Sequence, residues 1–418
     1  MQFCDETAEY REQVHRLLAL VLVLWVLPAA AQTPGDSTPA PPAGTSPAFV
    51  VQSDNGDNRL QLGVVVQADA RFAVDDSQND VLDTFAIRRL RGIVQGRVAR
   101  YFDFYVNLDF AGGIVNLRDA YFDTTFSPAF HIRVGKMKAP FSYNRLILAA
   151  NTLLGERGFT TTVAPDRDIG VQLLGDVAGA HVSYAVALTN GVIDGGSADG
   201  DTNDAKDVTA RIVARPWTRS PHHPLSGLGL AVAANTGTHG PALPSFVSVG
   251  RQTFFSYAGA AERGRRSRWS PQAFYYRGPF GAYAEYVRSR AAVVKNGSAG
   301  DIDHDAWQAV ASWVLTGETS GERAVRPRVS FDPPSGHYGA VQLVARVEQL
   351  AVSQAAIDRG LAAPGASRTA DAWTAGLNWY LNPFVKWHFG FTRTVFDGDA
   401  EGLRRPENLL LARAQLVF

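Results

Sequence analysis

Apolar and polar residues alternate along almost every apolar stretch of the sequence after residue 58. From Tyr101 to Phe110 the even positions are Phe, Phe, Val, Leu and Phe, whereas the odd positions carry Tyr, Asp and Asn. The same alternation occurs in residues 207–215, 385–394 and 412–418. Because successive side chains of a β-strand point to opposite faces, this period of two predicts strands with one apolar and one polar face. No helical-period segment of comparable length competes with them, so the sequence predicts an all-β fold.

The links between the predicted strands alternate between short and long. The short links are centred on residues 99–100, 127–128, 178–179, 278 and 382–383. The longer, polar links lie near residues 73–84, 138–168, 190–205, 237–266, 291–304, 353–368 and 397–406. Tight periplasmic turns and long external loops are typical of transmembrane barrels. A weak strand candidate at residues 252–260 lies inside a long link. Leaving it out gives sixteen strands, an even number, as required when both termini are periplasmic.

Aromatic residues cluster at the ends of the predicted strands. Trp379, Tyr380, Phe384 and Trp387 flank the short link at residues 382–383. A soluble β-sandwich, the alternative for alternating strands, would scatter its aromatic residues through a core, whereas a membrane barrel carries aromatic girdles at both interfaces. The sequence therefore predicts a transmembrane antiparallel β-barrel of sixteen strands over residues 59–418.

The first 31 residues have the three-part build of a secretory signal peptide. Basic residues precede an apolar run from Leu17 to Leu27, and small residues follow it at 29–31, so cleavage is predicted before Gln32. The run is shorter than the about 20 residues that a membrane-spanning helix needs. Residues 32–58 are rich in Pro, Ala, Ser and Thr and poor in apolar side chains, which predicts a flexible leader.

Composition argues against several classes of function. The chain has 40 basic and 40 acidic residues, whereas a nucleic-acid-binding protein would carry a basic excess. Its single cysteine, Cys4, lies in the predicted signal peptide, so no disulfide or thiolate metal site is expected. The sequence has no H-E-x-x-H, G-x-S-x-G or P-loop motif, and we expect no cofactor. The acid-rich segments 199–207 and 301–305 lack the ligand order of an EF-hand, so no metal site is predicted.

Seven segments carry a resemblance to a known protein family. They are RRLRGIVQGRV (88–98), FDFYVNLDF (102–110), RDAYF (118–122), VGKMKAPF (134–141), RGPFGAYAEYV (277–287), FDPPSGHYGAVQLVA (331–345) and WYLNPFVKWHFGF (379–391). In this order and spacing they resemble the phosphate-selective porin O and P family, over residues 59 to 418. The resemblance implies a trimeric, sixteen-stranded porin of the bacterial outer membrane, whose third external loop folds inward to narrow the channel.

The resemblance also implies an anion site made of pore-lining arginines, an aspartate and loop cations. By motif position this anion-binding constriction comprises Arg88, Arg89, Arg91, Asp119, Lys136, Lys138, Ser142, Arg145 and Arg157. The residues themselves point to the same loop, because the link at 138–168 is long and long loops usually have a function. Lys and Arg side chains in such a loop are suited to replacing the hydration shell of an anion. The alternative, that these charges only pair with the wall and hold the loop, stays open.

The sequence thus predicts an outer-membrane porin for passive diffusion of small solutes, with a preference for anions such as phosphate or polyphosphate. Three alternatives remain: a general porin for small acids or neutral solutes, a structural barrel with a blocked pore, and a lipase-like barrel enzyme with a Ser, His pair. His131 and His388 have inward parity, but no motif joins either of them to a serine. The terminal Phe418 is similar to the signal that the outer-membrane assembly machinery reads. Expected partners are therefore this machinery, outer-membrane lipid and lipopolysaccharide, small anions, and further copies of the chain in a homotrimer.

Overall fold

The computed structural model describes residues 49–74, 82–201, 203–397 and 404–418, which are almost entirely strands and loops. The strands are β1 (Val50–Gln52), β2 (Arg59–Ala73), β3 (Thr84–Val98), β4 (Phe102–Asp109), β5 (Asn116–Ser127), β6 (Phe130–Lys138), β7 (Arg167–Val177), β8 (Val182–Thr189), β9 (Asp207–Ala214), β10 (Leu228–His239), β11 (Phe246–Val247), β12 (Thr253–Phe255), β13 (Ala261–Arg277), β14 (Phe280–Lys295), β15 (Ser298–Val314), β16 (Ala340–Val352), β17 (Thr369–Tyr380), β18 (Val385–Asp397) and β19 (Glu407–Val417). The helical pieces are α1 (Tyr143–Leu146), α2 (Gln354–Asp358) and the 3-10 turns Ala111–Gly113, Ala149–Asn151, Phe159–Thr162 and Pro333–Ser335. None of the described helices is long and apolar enough to cross a membrane.

Sixteen of these strands form one closed antiparallel barrel. Strands β2 to β10 and β13 to β19 each pair with the next in chain order, and β19 closes the barrel on β2 through pairs such as Gln415 with Gln67. The two remaining short strands of the loop region, β11 and β12, pair only with each other. The predicted sixteen-stranded barrel is confirmed, and the discarded candidate at 252–260 lies outside its wall.

The two faces of the wall differ as the alternation predicts. On β15 the outward side chains Trp307 and Trp313 are 39% and 47% exposed, whereas the intervening Gln308 and Ser312 are buried and face the lumen. Not all of the aromatic residues predicted for the girdle face the membrane, because adjacent residues of a strand point to opposite faces of the wall. Trp379 and Trp387 point outward, but Tyr380 is buried on the inner face.

Most of the predicted links are present, with one clear error. The short turns after β3, β5, β7, β13 and β17 lie where the sequence places them. The predicted loop at 291–304 is wrong, because β14 and β15 continue to a tight turn at Asn296 and Gly297, both with positive φ. Asn-Gly is a preferred pair for such hairpins, so the sequence did contain the signal. The predicted loop at 237–266 is shorter than expected, since β10 ends at His239 and β13 begins at Ala261.

Three long loops lie at the end of the barrel opposite the short turns that follow β3, β5, β7, β13 and β17. We call them loop 3 (residues 139–166), loop 4 (residues 190–206) and loop 5 (residues 240–260), counting from the loop after β2. Loop 5 begins with a cis peptide bond between Gly240 and Pro241 and contains the β11–β12 hairpin. At the other end of the barrel, residues 315–339 form the long link that joins β15 to β16.

Part of the predicted leader is ordered against the barrel. Strand β1 pairs with the start of β2, with Val50 opposite Gln61, and the ring centroids of Phe49 and Phe418 are 5.7 Å apart. Strand β1 thus continues the edge of β2 beyond the end of β19, which differs from a leader that stays flexible to residue 58. The predicted signal peptide (1–31) and the leader up to residue 48 lie outside the described residues.

Candidate functional site: an arginine-lined cavity beside loop 3

The backbone of loop 3 is held by side chains from the inner face of the barrel. For example, the backbone N–H of Tyr143 donates to Glu285 at 2.8 Å, and that of Phe159 donates to Glu348 at 2.6 Å. Seven strands supply the side chains of this type: Gln67, Gln272, Glu285, Arg346, Glu348, Asn378, Lys386, His388, Arg413 and Gln415. An irregular segment away from water needs such partners, because each unpaired buried amide or carbonyl costs about 1–3 kcal/mol.

Two of the predicted site residues serve the local structure of this loop. Ser142 is fully buried and caps α1 by accepting a hydrogen bond from the backbone N–H of Arg145 at 3.2 Å. The ammonium of Lys138 donates to the carbonyls of Leu146 and Ile147 at 3.0 and 3.1 Å, at the other end of the same turn. Both side chains therefore fix the path of loop 3.

A cavity of about 580 Å³ lies between loop 3 and the wall made by β3, β4, β5 and β7. Loops 4 and 5 supply the rest of its lining. Eight arginines line it: Arg88, Arg89, Arg91, Arg118, Arg145, Arg157, Arg167 and Arg251. Among the described residues three carboxylates also line it, Asp109, Glu156 and Asp194. This local excess of positive charge contrasts with the neutral balance of the whole chain.

Two adjacent arginines reach the same cavity because β3 carries a bulge. Gln67 of β2 pairs with Arg89, but the next residue, Ala68, pairs with Ile87, so Arg88 is an extra residue in the ladder. Strict alternation would place Arg88 and Arg89 on opposite faces of the wall. With the bulge, Arg88 reaches Glu156 of loop 3 and Arg89 donates to Gln67 at 2.5 Å.

Five of the eight cavity arginines have carboxylate partners. Arg88 pairs with Glu156 at 2.7 Å and Arg91 with Asp109 at 2.9 Å. Asp166, at the end of loop 3, is shared by Arg118, Arg145 and Arg167, and Arg167 also contacts Asp119. Burial alone would raise the pKa of Asp166, but the guanidinium groups around it lower that pKa, so the carboxylate stays ionised.

The other three cavity arginines have no carboxylate at ion-pair distance among the described residues. These are Arg89, Arg157 and Arg251. Arg157 donates to the carbonyl of Ile147 at 2.5 Å, and burial together with the nearby Arg145 lowers its pKa. Arg251 is an exposed residue of loop 5, and the field of Arg88, followed by partial burial, lowers its pKa. For both residues a neighbouring guanidinium contributes to the lower pKa, Arg145 for Arg157 and Arg88 for Arg251, so an anion in this cavity would be stabilised.

A second cavity of about 510 Å³ adjoins the first on the side of the long loops. The two share the residues Arg88, Asp109, Arg118 and Arg251. The second cavity is also lined by residues near the loop ends, including Leu82, Gly112, Asn116 and Gly250. The shared residues place the two cavities side by side, and we call the two together the passage.

Loop 4 is fixed by a buried ion cluster. Asp194 accepts from Arg268 at 2.7 Å and lies 2.7 Å from Arg266, and all three side chains are fully buried. Glu262 also pairs with Arg266. Burial raises the pKa of Asp194, but Arg266 and Arg268 outweigh it and hold that pKa at about 2. The cluster holds the cavity-lining residues next to Asp194 in place.

The structure brings together some, but not all, of the site residues predicted from the sequence. Arg88, Arg89, Arg91, Arg145 and Arg157 line the cavity. Lys136, Lys138, Asp119 and Ser142 do not, and Lys136 instead forms a salt bridge with Asp199 of loop 4. Sequence reasoning did not select the lining residues Arg118, Arg167 and Arg251. Arg118 stands inside the motif RDAYF and Arg167 lies in the predicted link 138–168, but Arg251 lies in a loop without a local signal.

The two histidines of the enzyme alternative have other partners. His388 accepts a hydrogen bond from the backbone N–H of Gly155 at 3.2 Å and its other ring nitrogen contacts Asn378 at 2.9 Å. His131 contacts the hydroxyl of Thr125 at 3.1 Å. No group of three or more His, Cys, Asp or Glu side chains suited to a metal ion occurs among the residues that the structure describes.

A closed sixteen-stranded barrel with an apolar outer face and a charged passage is an outer-membrane channel of the porin type. The chain belongs to the phosphate-selective porin O and P family, which it matches over residues 60–240 and 242–418. The protein is accordingly located in the bacterial outer membrane. Among curated protein sequences, none matches this chain.

Several solved structures share the fold at low sequence identity. In-vitro folded OmpT, an outer membrane protein of Vibrio cholerae, is 12% identical, and the match covers 89% of this chain and 100% of that one with a TM-score of 0.56. The outer membrane channel DcaP of Acinetobacter baumannii is 10% identical, with coverages of 88% and 99% and a TM-score of 0.56. Salmonella typhi OmpF, in complex with daunomycin, is 10% identical, with coverages of 88% and 100% and a TM-score of 0.55. These similarities show the barrel fold.

Proposed function

We propose that this protein is an anion-preferring diffusion channel, and that phosphate or a polyphosphate is among the anions it conducts. The observation that carries the proposal is the presence of Arg89, Arg157 and Arg251 in one passage without carboxylate partners among the described residues. The name of the family, phosphate-selective porin O and P, supports the choice of anion. Loop 3 supplies Arg145 and Arg157 and is proposed to form the constriction.

Selectivity in such a channel depends on the charges at the narrow part of the passage. An ion there has lost part of its hydration shell and interacts with nearby side chains at a lower effective dielectric constant. Charges at the rim are screened within about 8 Å at physiological salt. The cavity arginines that have no carboxylate partner among the described residues therefore matter more for selectivity than the neutral balance of the whole chain.

The test is the zero-current potential of the purified protein in a planar bilayer with a KCl gradient. We expect the sign of the potential to show that chloride permeates more readily than potassium. We also expect the chloride current to decrease when phosphate is added. A cation-selective wild-type channel would overturn the proposal. If the channel is anion-selective but phosphate does not reduce its chloride current, the proposed anion preference is correct and the proposed phosphate conduction is wrong. A general porin for small acids would then be the better description.

We also propose that the protein functions as a trimer after removal of residues 1–31. The outer faces of β4 and β5 carry the exposed aromatic residues Phe102, Phe122 and Phe126, and β4 is much shorter than β13. A short, apolar part of the wall is suited to contact with another copy. The similar Vibrio cholerae OmpT has been solved in a trimer form. Native mass spectrometry of protein extracted from membranes would give both the oligomeric state and the mature N-terminus.

A further inference from the structure

A pair of outward-facing arginines stands out on the external part of β13. Arg263 and Arg265 are exposed, whereas Glu262 and Arg266 beside them are buried on the inner face. The register of β13 against β14 shifts between Glu262 and Arg266, and Gly264 within this bulge has a φ of 133°. Three residues lie between the inward Glu262 and Arg266, and the arginines on either side of Gly264 face the outside.

These arginines lie beyond the aromatic girdle on the lipid-facing side of the barrel. Trp269 of β13 is 47% exposed, and its ring packs 5.4 Å from that of Tyr286 on β14. Arg265 is four residues further toward the external loops. Four residues of tilted strand rise about 10 Å along the membrane normal, which reaches the headgroup region above the hydrocarbon core.

The acidic residues near Arg263 and Arg265 on the outer face pair with other arginines. On β14, Arg288 pairs with Asp303 at 2.6 Å and Arg290 with Asp301 at 2.8 Å, so the outward acids of β15 are already engaged. In the part of the chain that the structure describes, no carboxylate lies at ion-pair distance from Arg263 or Arg265. On the β10 side, Arg265 donates its Nε–H to the hydroxyl of Thr236 at 2.9 Å, which orients the guanidinium without neutralising it.

We propose that Arg263 and Arg265 form a binding site for the phosphorylated headgroup of lipopolysaccharide in the outer leaflet. Guanidinium groups bind phosphate oxygens through paired, charge-assisted hydrogen bonds. The site faces the lipid and lies outside the passage, so it is independent of the proposed anion selectivity. Its occupant is a membrane glycolipid held at the β10–β13 wall.

The experiment measures binding of fluorescently labelled lipopolysaccharide to the purified full-length barrel in detergent. The variant Arg263→Gln with Arg265→Gln should bind at least about tenfold more weakly, since each basic residue near an anionic lipid surface contributes appreciably. The control is Arg323→Gln with Arg326→Gln, which removes the same charge from two exposed residues in the link 315–339 at the opposite end. It should bind as the wild type does.

Two further measurements define the outcome. Lipopolysaccharide from which the phosphates have been removed should bind wild type and R263Q/R265Q equally weakly, and inorganic phosphate at millimolar concentration should not displace the intact lipid. The zero-current potential of R263Q/R265Q should match that of the wild type. Equal binding of intact lipopolysaccharide by wild type and R263Q/R265Q, or equal loss in the control variant, would overturn the proposal.

Discussion

Glu156 of loop 3 accepts two hydrogen bonds from Arg88 of β3, at 2.7 and 3.0 Å. The same carboxylate also pairs with Arg71 of β2 and lies 3.6 Å from Arg413 of β19. Burial raises the pKa of Glu156, but the guanidinium groups of Arg88 foremost, then Arg413 and Arg89, bring that pKa well below its usual range. One loop carboxylate thus both ties loop 3 to the wall and cancels part of the positive charge of the passage.

Replacing Glu156 by Gln should therefore increase anion preference. Removing one negative charge beside Arg88 leaves that arginine unpaired in the passage, and a charge at about 6 Å from an ion is worth about 0.7 kcal/mol even in water, or about threefold in permeability ratio. The measurement is the zero-current potential in a KCl gradient. The control Asp301→Asn removes the same charge from the outer face and should leave the potential unchanged. A shift toward cations in E156Q would contradict the assigned role.

Removing unpaired positive charge should have the opposite effect. The variant Arg157→Gln with Arg251→Gln is expected to lower the anion-to-cation permeability ratio by about threefold for each charge, by the same Coulomb estimate. The matched variant R263Q/R265Q loses the same charge from the outer face. If the two double variants change the permeability ratio equally, selectivity depends on the net charge of the protein and not on where the charges lie.

Loss of the loop 4 cluster should weaken the fold. Asp194→Asn leaves Arg266 and Arg268 buried with incomplete partners, and breaking a buried ion pair costs about 3–5 kcal/mol. The measurement is the free energy of unfolding by urea in detergent, with Asp301→Asn in an exposed pair as the control, for which about 0–1 kcal/mol is expected. An equal loss in both variants would contradict the role of the cluster.

The contribution of Asp194 should also depend on pH in a defined direction. Its pKa is about 2 in the folded protein and about 4 in an unfolded chain. A carboxyl with a depressed folded pKa stabilises the protein above its unfolded pKa and loses this effect as pH falls through the folded value. The difference in unfolding free energy between wild type and D194N should be constant from pH 8 to about 5 and decrease below about pH 4.

Phe418 is expected to be needed for assembly because it follows the last strand and helps to close the barrel on β2. Its backbone exchanges hydrogen bonds with Val64, at 2.8 and 3.1 Å, and its ring packs against Phe49. Phe418→Asp should strongly lower the amount of folded protein in the outer membrane, since a charge on the lipid face costs about 1–4 kcal/mol depending on depth. Phe49→Asp disrupts the same ring contact without changing the terminus. If both lower the amount equally, packing and not the terminal signal is responsible.

Local periodicity was sufficient to predict the wall of this protein. The alternation in Tyr101 to Phe110 defines a strand and its two faces, because side-chain direction in a strand follows from backbone geometry alone. The short turns follow from the same pattern, and the one missed hairpin, at Asn296 and Gly297, had a recognisable turn sequence. Where parity was ignored, as for Tyr380, the assignment to the girdle was wrong.

The candidate site was only partly predictable, because its charges come from segments far apart in the sequence. Nothing near Lys138 indicates that its ammonium would be used by the carbonyls of Leu146 and Ile147, nor does the sequence around Arg251 place it opposite Arg88. Which charges cancel depends on distances across the lumen, and these exist only once the barrel is closed.

A closed barrel of sixteen strands with a polar interior could be predicted in advance, because alternation, link lengths and strand number are properties of the chain. Which arginines carry net charge into the passage depends on how the folded segments pack. The bulge that turns Arg88 to the side of Arg89 breaks the period of two, and Glu156 then neutralises Arg88 while Arg157 and Arg251 keep their charge. Charges interact through space as the inverse of their distance, so their balance is set by the fold and not by their order along the chain.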